Sequence, residues 1–213
     1  MSKVAITGNT SGTGTFTIAA PNSNTDRTLT LPDEAGTVLT SASSIPVANL
    51  DSAVGITHVD HWRITTNQTA ATQTEETFTS NWERTDIYYP GFIGTAMTES
   101  SGTFSFPVTG IWRIEFTLDC SDSSDTRQIE SYIYVSNDSG SSYNQLDMSR
   151  TNITNVGGAQ TYTQSHNLAI IDVTNASVFR IQFRAYDIAG GTAYRGNTTV
   201  SQTAAVFTRL GDT

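Results

Sequence analysis

From Trp112 to Leu118 the chain alternates without a break. Trp112, Ile114, Phe116 and Leu118 are apolar; Arg113, Glu115 and Thr117 between them are polar. Phe179, Ile181, Phe183 and Ala185 alternate with Arg180, Gln182 and Arg184 in the same way. Successive strand side chains point to opposite faces, so a period of two gives each segment one core face and one wet face. Composition agrees. Val and Ile number 28 against 8 Leu, and 36 of the 213 residues are Thr. Branching at Cβ fits a pleated strand better than a helical turn. The fold class is all-β, and a mainly helical chain is excluded. Further strand-like segments lie at 61–66, 104–108, 128–136, 144–150, 161–172 and 202–210. Turn signals recur about every 8–12 residues, the rhythm of an antiparallel sandwich or jelly roll.

Some of these strands are apolar on both faces. Tyr132 and Tyr134 oppose Ile129, Ile133 and Val135, and Val206 and Leu210 oppose Ala205 and Phe207. With no helices expected, the second cover is another copy of the chain. The core itself is thin: Leu, Ile, Val and Phe total 45 residues, close to the lower bound for a globular chain.

The chain reads as three parts. Residues 1–45 are rich in Gly, Thr, Ser and Asn, with short strand-like pieces at 15–19, 28–31 and 37–40. Two or three such strands are marginal alone, so this segment needs a partner. Residues 46–60 form a connector in which Val47, Leu50 and Val54 fall at helical spacing. Residues 61–213 carry the dense strand signals of a head domain.

The net charge is −9, and the ten Arg and one Lys are scattered without a cluster. Neutralising a phosphate backbone needs a basic stripe, so nucleic acid is excluded as the main ligand. No apolar run reaches the roughly 18 residues of a membrane span, and no signal peptide is evident. Cys120 is alone, which excludes an intrachain disulfide and fits folding in a reducing cytoplasm.

Residues 14–22 (Gly-Thr-Phe-Thr-Ile-Ala-Ala-Pro-Asn) and 27–40 (Arg-Thr-Leu-Thr-Leu-Pro-Asp-Glu-Ala-Gly-Thr-Val-Leu-Thr) resemble the N-terminal module of many bacteriophage tail-fibre and virion appendage proteins. Residues 45–50, Ile-Pro-Val-Ala-Asn-Leu, resemble the connector that often follows. Residues 102–116 and the last strand, 203–210, resemble the trimeric jelly-roll head of tumour-necrosis-factor and complement-type ligands. The resemblance implies a homotrimeric phage virion protein with an attachment segment (1–45) that holds another virion protein, a short neck (46–60) and a jelly-roll head (61–213). A tail-fibre or receptor-binding appendage is the first reading. A capsid decoration protein is the second, and a secreted adhesin or lectin a third. Its place is the virion, assembled in the host cytoplasm, and its partner a host-surface glycan or protein.

If the connector enters the head at its base, the strand count puts 109–110, 137–142 and 175–176 at the base. Segments 85–100, 119–126, 152–159 and 189–199 fall at the distal tip. Adaptable Gly/Asn/Ser loops with Tyr anchors on a rigid sandwich make binding surfaces. Tyr88, Tyr89, Tyr194, Asn152 and Asn197 are therefore the expected ligand-binding residues. Asp119, Asp122 and Asp125 place three carboxylates in one expected loop, suited to a hard cation such as Ca²⁺, against a solvated acidic loop. His58 and His61 could converge around a threefold axis as metal ligands, against plain surface histidines. His166 reads as a packed or hydrogen-bonded histidine. The sequence has no catalytic signature such as Gly-x-Ser-x-Gly or His-Glu-x-x-His, so no enzymatic activity is expected. Cys120 reads as an inert thiol. Trp62, Trp82 and Trp112 read as packing residues rather than a sugar platform.

Overall fold

The computed structural model describes residues 10–15, 17, 22–26, 28, 55–87 and 91–213. The chain divides into two units, Met1–Ser44 and Ile45–Thr213. In the first, Thr10 and Ser11 form a turn and Thr25 N donates to Ser23 Oγ at 3.1 Å. Of the strands expected at 15–19, 28–31 and 37–40, only residues 15, 17 and 28 are described. The helical spacing of Val47, Leu50 and Val54 lies outside the described residues.

In the second unit the described residues form strands and no helix. The strands are β1 (Val59–Ile64), β2 (Gln68–Thr69), β3 (Glu75–Thr77), β4 (Trp82–Arg84), β5 (Phe92–Ile93), β6 (Thr98–Ser100) and β7 (Thr103–Ser105). The long strands follow: β8 (Gly110–Asp122), β9 (Thr126–Ser136), β10 (Asn144–Ile153), β11 (Thr161–Val173) and β12 (Arg180–Asp187). Then come β13 (Ala193–Tyr194) and β14 (Ala204–Gly211). They form two antiparallel sheets, an all-β sandwich. In the first sheet β8 pairs along its whole length with β11, and on its other side with β14 and β13. β1 follows β14 and carries β4 and β5; β2 borders β13. The second sheet runs β10-β9-β12-β7-β6, with β3 also on β12.

Strand direction gives this sandwich a base and a tip. Val59 pairs with Thr208 and Gly110 with Val173, so residues 55–58 lead in at the base. Asp122 pairs with Thr161 and Thr126 with Ile153, so the loops 123–125, 154–160 and 188–192 sit at the tip. One placement from the sequence is corrected. Within segment 85–100, Phe92 and Ile93 are not at the tip: they pair with Asp60 and Val59 at the base. A Cβ on Gly94, whose φ is +70°, would sit 2.2 Å from Thr57 O. The reason is β4, which runs along β1 from Ile64 back toward Trp62 and delivers the chain to the base. β1 also begins two residues before the expected head boundary.

The core is aromatic. Phe116 of one sheet stacks on Phe183 of the other at 4.7 Å between ring centroids, and Phe104, Phe207 and Trp82 close around Phe183 at 5.5, 5.8 and 5.6 Å. Trp112 is buried and Trp82 Nε1 donates to Phe78 O at 2.7 Å, so the indoles are packing residues. Tyr132 does not need a second subunit. It is 7% exposed within the single chain, and its hydroxyl donates to Glu130, which also binds Arg150. Tyr134 is covered by the Arg184 guanidinium, 3.9 Å from its ring.

β10 and β11 are edge strands of different sheets, and polar side chains join them. Asn167 Nδ2 donates to Asp147 Oδ2 at 2.9 Å and to Ser131 O at 3.1 Å. Ser165 donates to Ser131 Oγ at 2.7 Å, and Leu168 N donates to Asp147 Oδ2 at 3.2 Å. Ser131, Ser165 and Asn167 are all buried. Every polar atom named here has a partner, which is the condition for burying it without penalty.

Candidate functional site

The tip loops are tied to one another. Asp125 Oδ1 accepts from Asn155 N, while Asn155 donates its amide to Ser123 O and accepts from Gly158 N at 2.7 Å. Gly157 and Gly158 have φ of +64° and +76° with open space around them, so backbone conformation selects glycine here. Asp187, fully buried, accepts from Ala189 N at 2.9 Å, Thr126 Oγ1 at 3.3 Å and Thr192 N at 3.4 Å. That carboxylate fastens loop 188–192 to the start of β9. Two hollows of about 440 and 390 Å³ flank the 123–127 segment. Asp125 and Arg127 line both; Gln73, Ile188 and Ala189 complete one, and Asn152, Ile153 and Thr154 the other.

Asn152 is exposed at the end of β10 and lines a hollow. Asn197 is half-buried, and its Oδ1 accepts from Thr199 N at 2.7 Å and Val200 N at 3.0 Å, so it caps its own turn. Tyr88 and Tyr89 lie outside the described residues. Tyr194 is a correction: it is 2% exposed, packed 5.6 Å from the Phe78 ring, and its hydroxyl has no hydrogen-bond partner. Burial pushes its phenol strongly upward, with smaller contributions from Cys120 and nearby carboxylates.

Asp119, Asp122 and Asp125 do not share one loop. β8 continues through Asp122, and Asp119 is buried on it, accepting from Gln164 Nε2 at 3.1 Å and pairing with Arg195 at 3.4 Å. Asp122 accepts from Ser124 N and Asp125 from Asn155 N. Among the described residues no three His, Cys, Asp or Glu groups could hold a metal ion. His58 packs on Trp112 at 5.9 Å, and His61 lies three residues on, on the outer face with its neighbour Arg63. Burial depresses both imidazoles, helped by Arg209 at His58 and by Arg63 at His61. His166 is half-exposed, with Nδ1 3.1 Å from Thr117 Oγ1. Cys120 is buried, and desolvation raises its thiol far above the reactive range.

The outer face of the β11-β8-β14-β1 sheet carries a different feature. Leu168 (44% exposed), Ile170 (57%) and Leu210 (48%) lie open on it. In register, Leu168 stands beside Glu115, then Val206, then His61; Ile170 stands beside Arg113, then Thr208, then Val59. Arg113 and Glu115 pair at 2.9 Å in the middle of these rows. This sheet has the exposed apolar positions that period two predicted at Leu210.

No family model matches the chain, and no curated protein does. Solved structures do. An Eiger TNF from S. frugiperda aligns with a TM-score of 0.52 at 10% identity, over 73% of this chain and 93% of that one. Murine APRIL at pH 8.0 aligns with a TM-score of 0.50 at 11% identity, over 72% of this chain and 99% of that one. The fold is a tumour-necrosis-factor-type jelly roll. At such identities the likeness carries the fold and nothing of the ligand.

Within the TNF-type jelly roll, Tyr194 sits where its ring fills the space between β13 and Phe78. Tyr194→Ala is expected to cost about 3–5 kcal/mol, as for other buried aromatics. Tyr194→Phe is expected to be neutral or slightly stabilising, because the lost hydroxyl leaves no partner behind. Denaturant titration of the two variants checks this; equal losses would place a hydrogen bond on that hydroxyl. Arg127 is the tip residue that sequence reasoning missed. Its only signal was position, just inside the strand after an acidic loop.

Proposed function

We propose that the chain is a homotrimeric, non-enzymatic binding head of a phage virion, a tail-fibre or receptor-binding appendage that adheres to the host surface through its tip. The observation that carries the adhesive part is the clustering of loops 123–125, 154–160 and 188–192 at the end opposite to where residues 55–58 lead in. A chain held at its base presents that end outward. The virion part rests on the resemblance of residues 14–22 and 27–40 to appendage attachment modules. Three copies bearing identical tips multiply a weak contact through effective concentration.

Trimerisation is assigned to the Leu168–Ile170–Leu210 face. Burying such side chains against a copy recovers about 25 cal/mol per Å² of apolar surface. Light scattering is expected to give 68.7 kDa, three times the 22.9 kDa chain. Leu168→Asp combined with Ile170→Asp is expected to shift the mass toward the monomer. A wild-type protein that scatters as a folded monomer overturns the trimer. Gold-labelled antibody against the head tests the virion reading in electron micrographs of phage particles. Label at the tail supports an appendage, and label over the capsid overturns it in favour of a decoration protein.

A further inference from the structure

Nine arginines lie among the described residues, and eight of them bind an acceptor. Arg63, Arg84, Arg113, Arg150, Arg184, Arg195 and Arg209 pair with carboxylates, and Arg180 donates to the carbonyls of Ala176, Ser177 and Phe179. Arg127 alone among them has neither an ion pair nor a hydrogen bond. It is exposed, at the tip, in a chain of net charge −9. Acidic groups outnumber basic ones there, yet none has closed on it. Asp125, two residues away, spends one oxygen on Asn155 N instead.

The surroundings of this guanidinium differ from the rest of the surface. The two hollows beside it, about 440 and 390 Å³, fall in the size range of small-ligand sites. The hollow at His61 and Arg63 and the one at Gln68 and Tyr194 hold about 170 and 180 Å³ and fall below it. Around Arg127 stand Gln73, Asn152 and Thr154, whose side-chain amide and hydroxyl groups make no hydrogen bond within the chain, and Ile188 supplies an apolar wall. A planar fork of N–H donors matches an oxyanion in two parallel hydrogen bonds. Amides and a hydroxyl at its sides match sugar hydroxyls.

We infer that Arg127 is the anchor of a tip site for an oxyanion-bearing sugar, taking the carboxylate of a uronic acid or the phosphate of a sugar phosphate. The inference rests on the adhesive reading of the tip and names its ligand chemistry. Asp125 opposes the anion electrostatically, so the site discriminates by geometry as well as by charge.

The test is surface plasmon resonance of the full chain on three immobilised oligosaccharides, one ending in glucuronate, one in glucose 6-phosphate and one in glucose. One or both anionic probes are expected to bind at least about tenfold more tightly than the neutral one, and which of them responds identifies the oxyanion. Arg127→Gln is expected to abolish that preference with an unchanged melting temperature, since the exposed side chain has no ion pair or hydrogen bond to lose. Arg127→Lys keeps the charge without the fork and is expected to fall between. Asp125→Asn, which keeps an oxygen for Asn155 N, is expected to tighten binding. Equal binding of all three probes, or an unaltered Arg127→Gln variant, overturns the site. A wild-type protein that adsorbs to cells but prefers neither anionic probe overturns the oxyanion and leaves adhesion standing. Probe binding by a protein that adsorbs to no host cell overturns adhesion and leaves the Arg127 site standing.

Discussion

Asp60→Ala is expected to destabilise the head by about 3–5 kcal/mol, the range for breaking a buried ion pair from one side. Asp60 is 2% exposed, and its carboxylate accepts from Arg84 Nε at 2.8 Å, Arg84 Nη2 at 3.1 Å and Met97 N at 2.7 Å. Arg84 in turn donates to Met97 O at 2.9 Å and lies 4.3 Å from the Trp62 ring. Removing the carboxylate therefore strands a guanidinium on the aromatic core and leaves a buried amide without an acceptor. The pair joins β1, β4 and the segment leading into β6, none of which is long enough to hold itself. Because much of the cost is the unpaired charge, Asp60→Ala combined with Arg84→Met is expected to cost less than the sum of the two single changes. Urea unfolding of the three variants measures this. A loss under about 1 kcal/mol for Asp60→Ala would mean that water reaches the pair and that the base is looser than described.

Phe183→Ala is expected to cost a similar amount, about 3–5 kcal/mol, for a different reason. The side chain is fully buried and touches aromatic rings from both sheets, Phe116 face to face and Phe104, Trp82 and Phe207 around its rim. Rings packed from two sheets cannot collapse into the void without moving a strand, so most of the cavity persists. Phe183→Leu is expected to recover about half of the loss, because it refills volume without restoring the stacking. Thermal and denaturant unfolding, at a fixed protein concentration so that any self-association contributes equally, distinguish the two. A Phe183→Ala variant as stable as the parent would refute an inter-sheet core centred on this ring.

The long strands were legible because each buries one face over many residues. β8, β12 and β14 are half-wetted, so the sequence writes their period in alternate apolar residues. The strands β2 to β6 were not legible. Each has two or three residues, too few to show any period, and pairing partners far away in the chain decide them. Missing them put Phe92 and Ile93 at the wrong end. The tip tyrosine failed for the same reason: β13 is two residues long, and only the packing of Phe78 against it explains why Tyr194 is inside. Asp119 was misread because a polar stretch, Asp119 to Asp122, looks like a loop. It stays a strand because Gln164 and Arg195 satisfy its carboxylate. Arg127 escaped notice since an unpaired cation is defined by what every other charge is bonded to, and that is visible only in three dimensions.

The polar seam across Asn167, Asp147, Ser131 and Ser165 has a consequence for how copies of this protein can meet. Open β edges recruit further chains side by side, the route to fibrils. Here the backbone N–H of Leu168, on the outermost strand of one layer, already donates to a carboxylate from the outermost strand of the other. That edge N–H is already spent within the chain, so at this position a neighbouring strand finds no free donor to pair with.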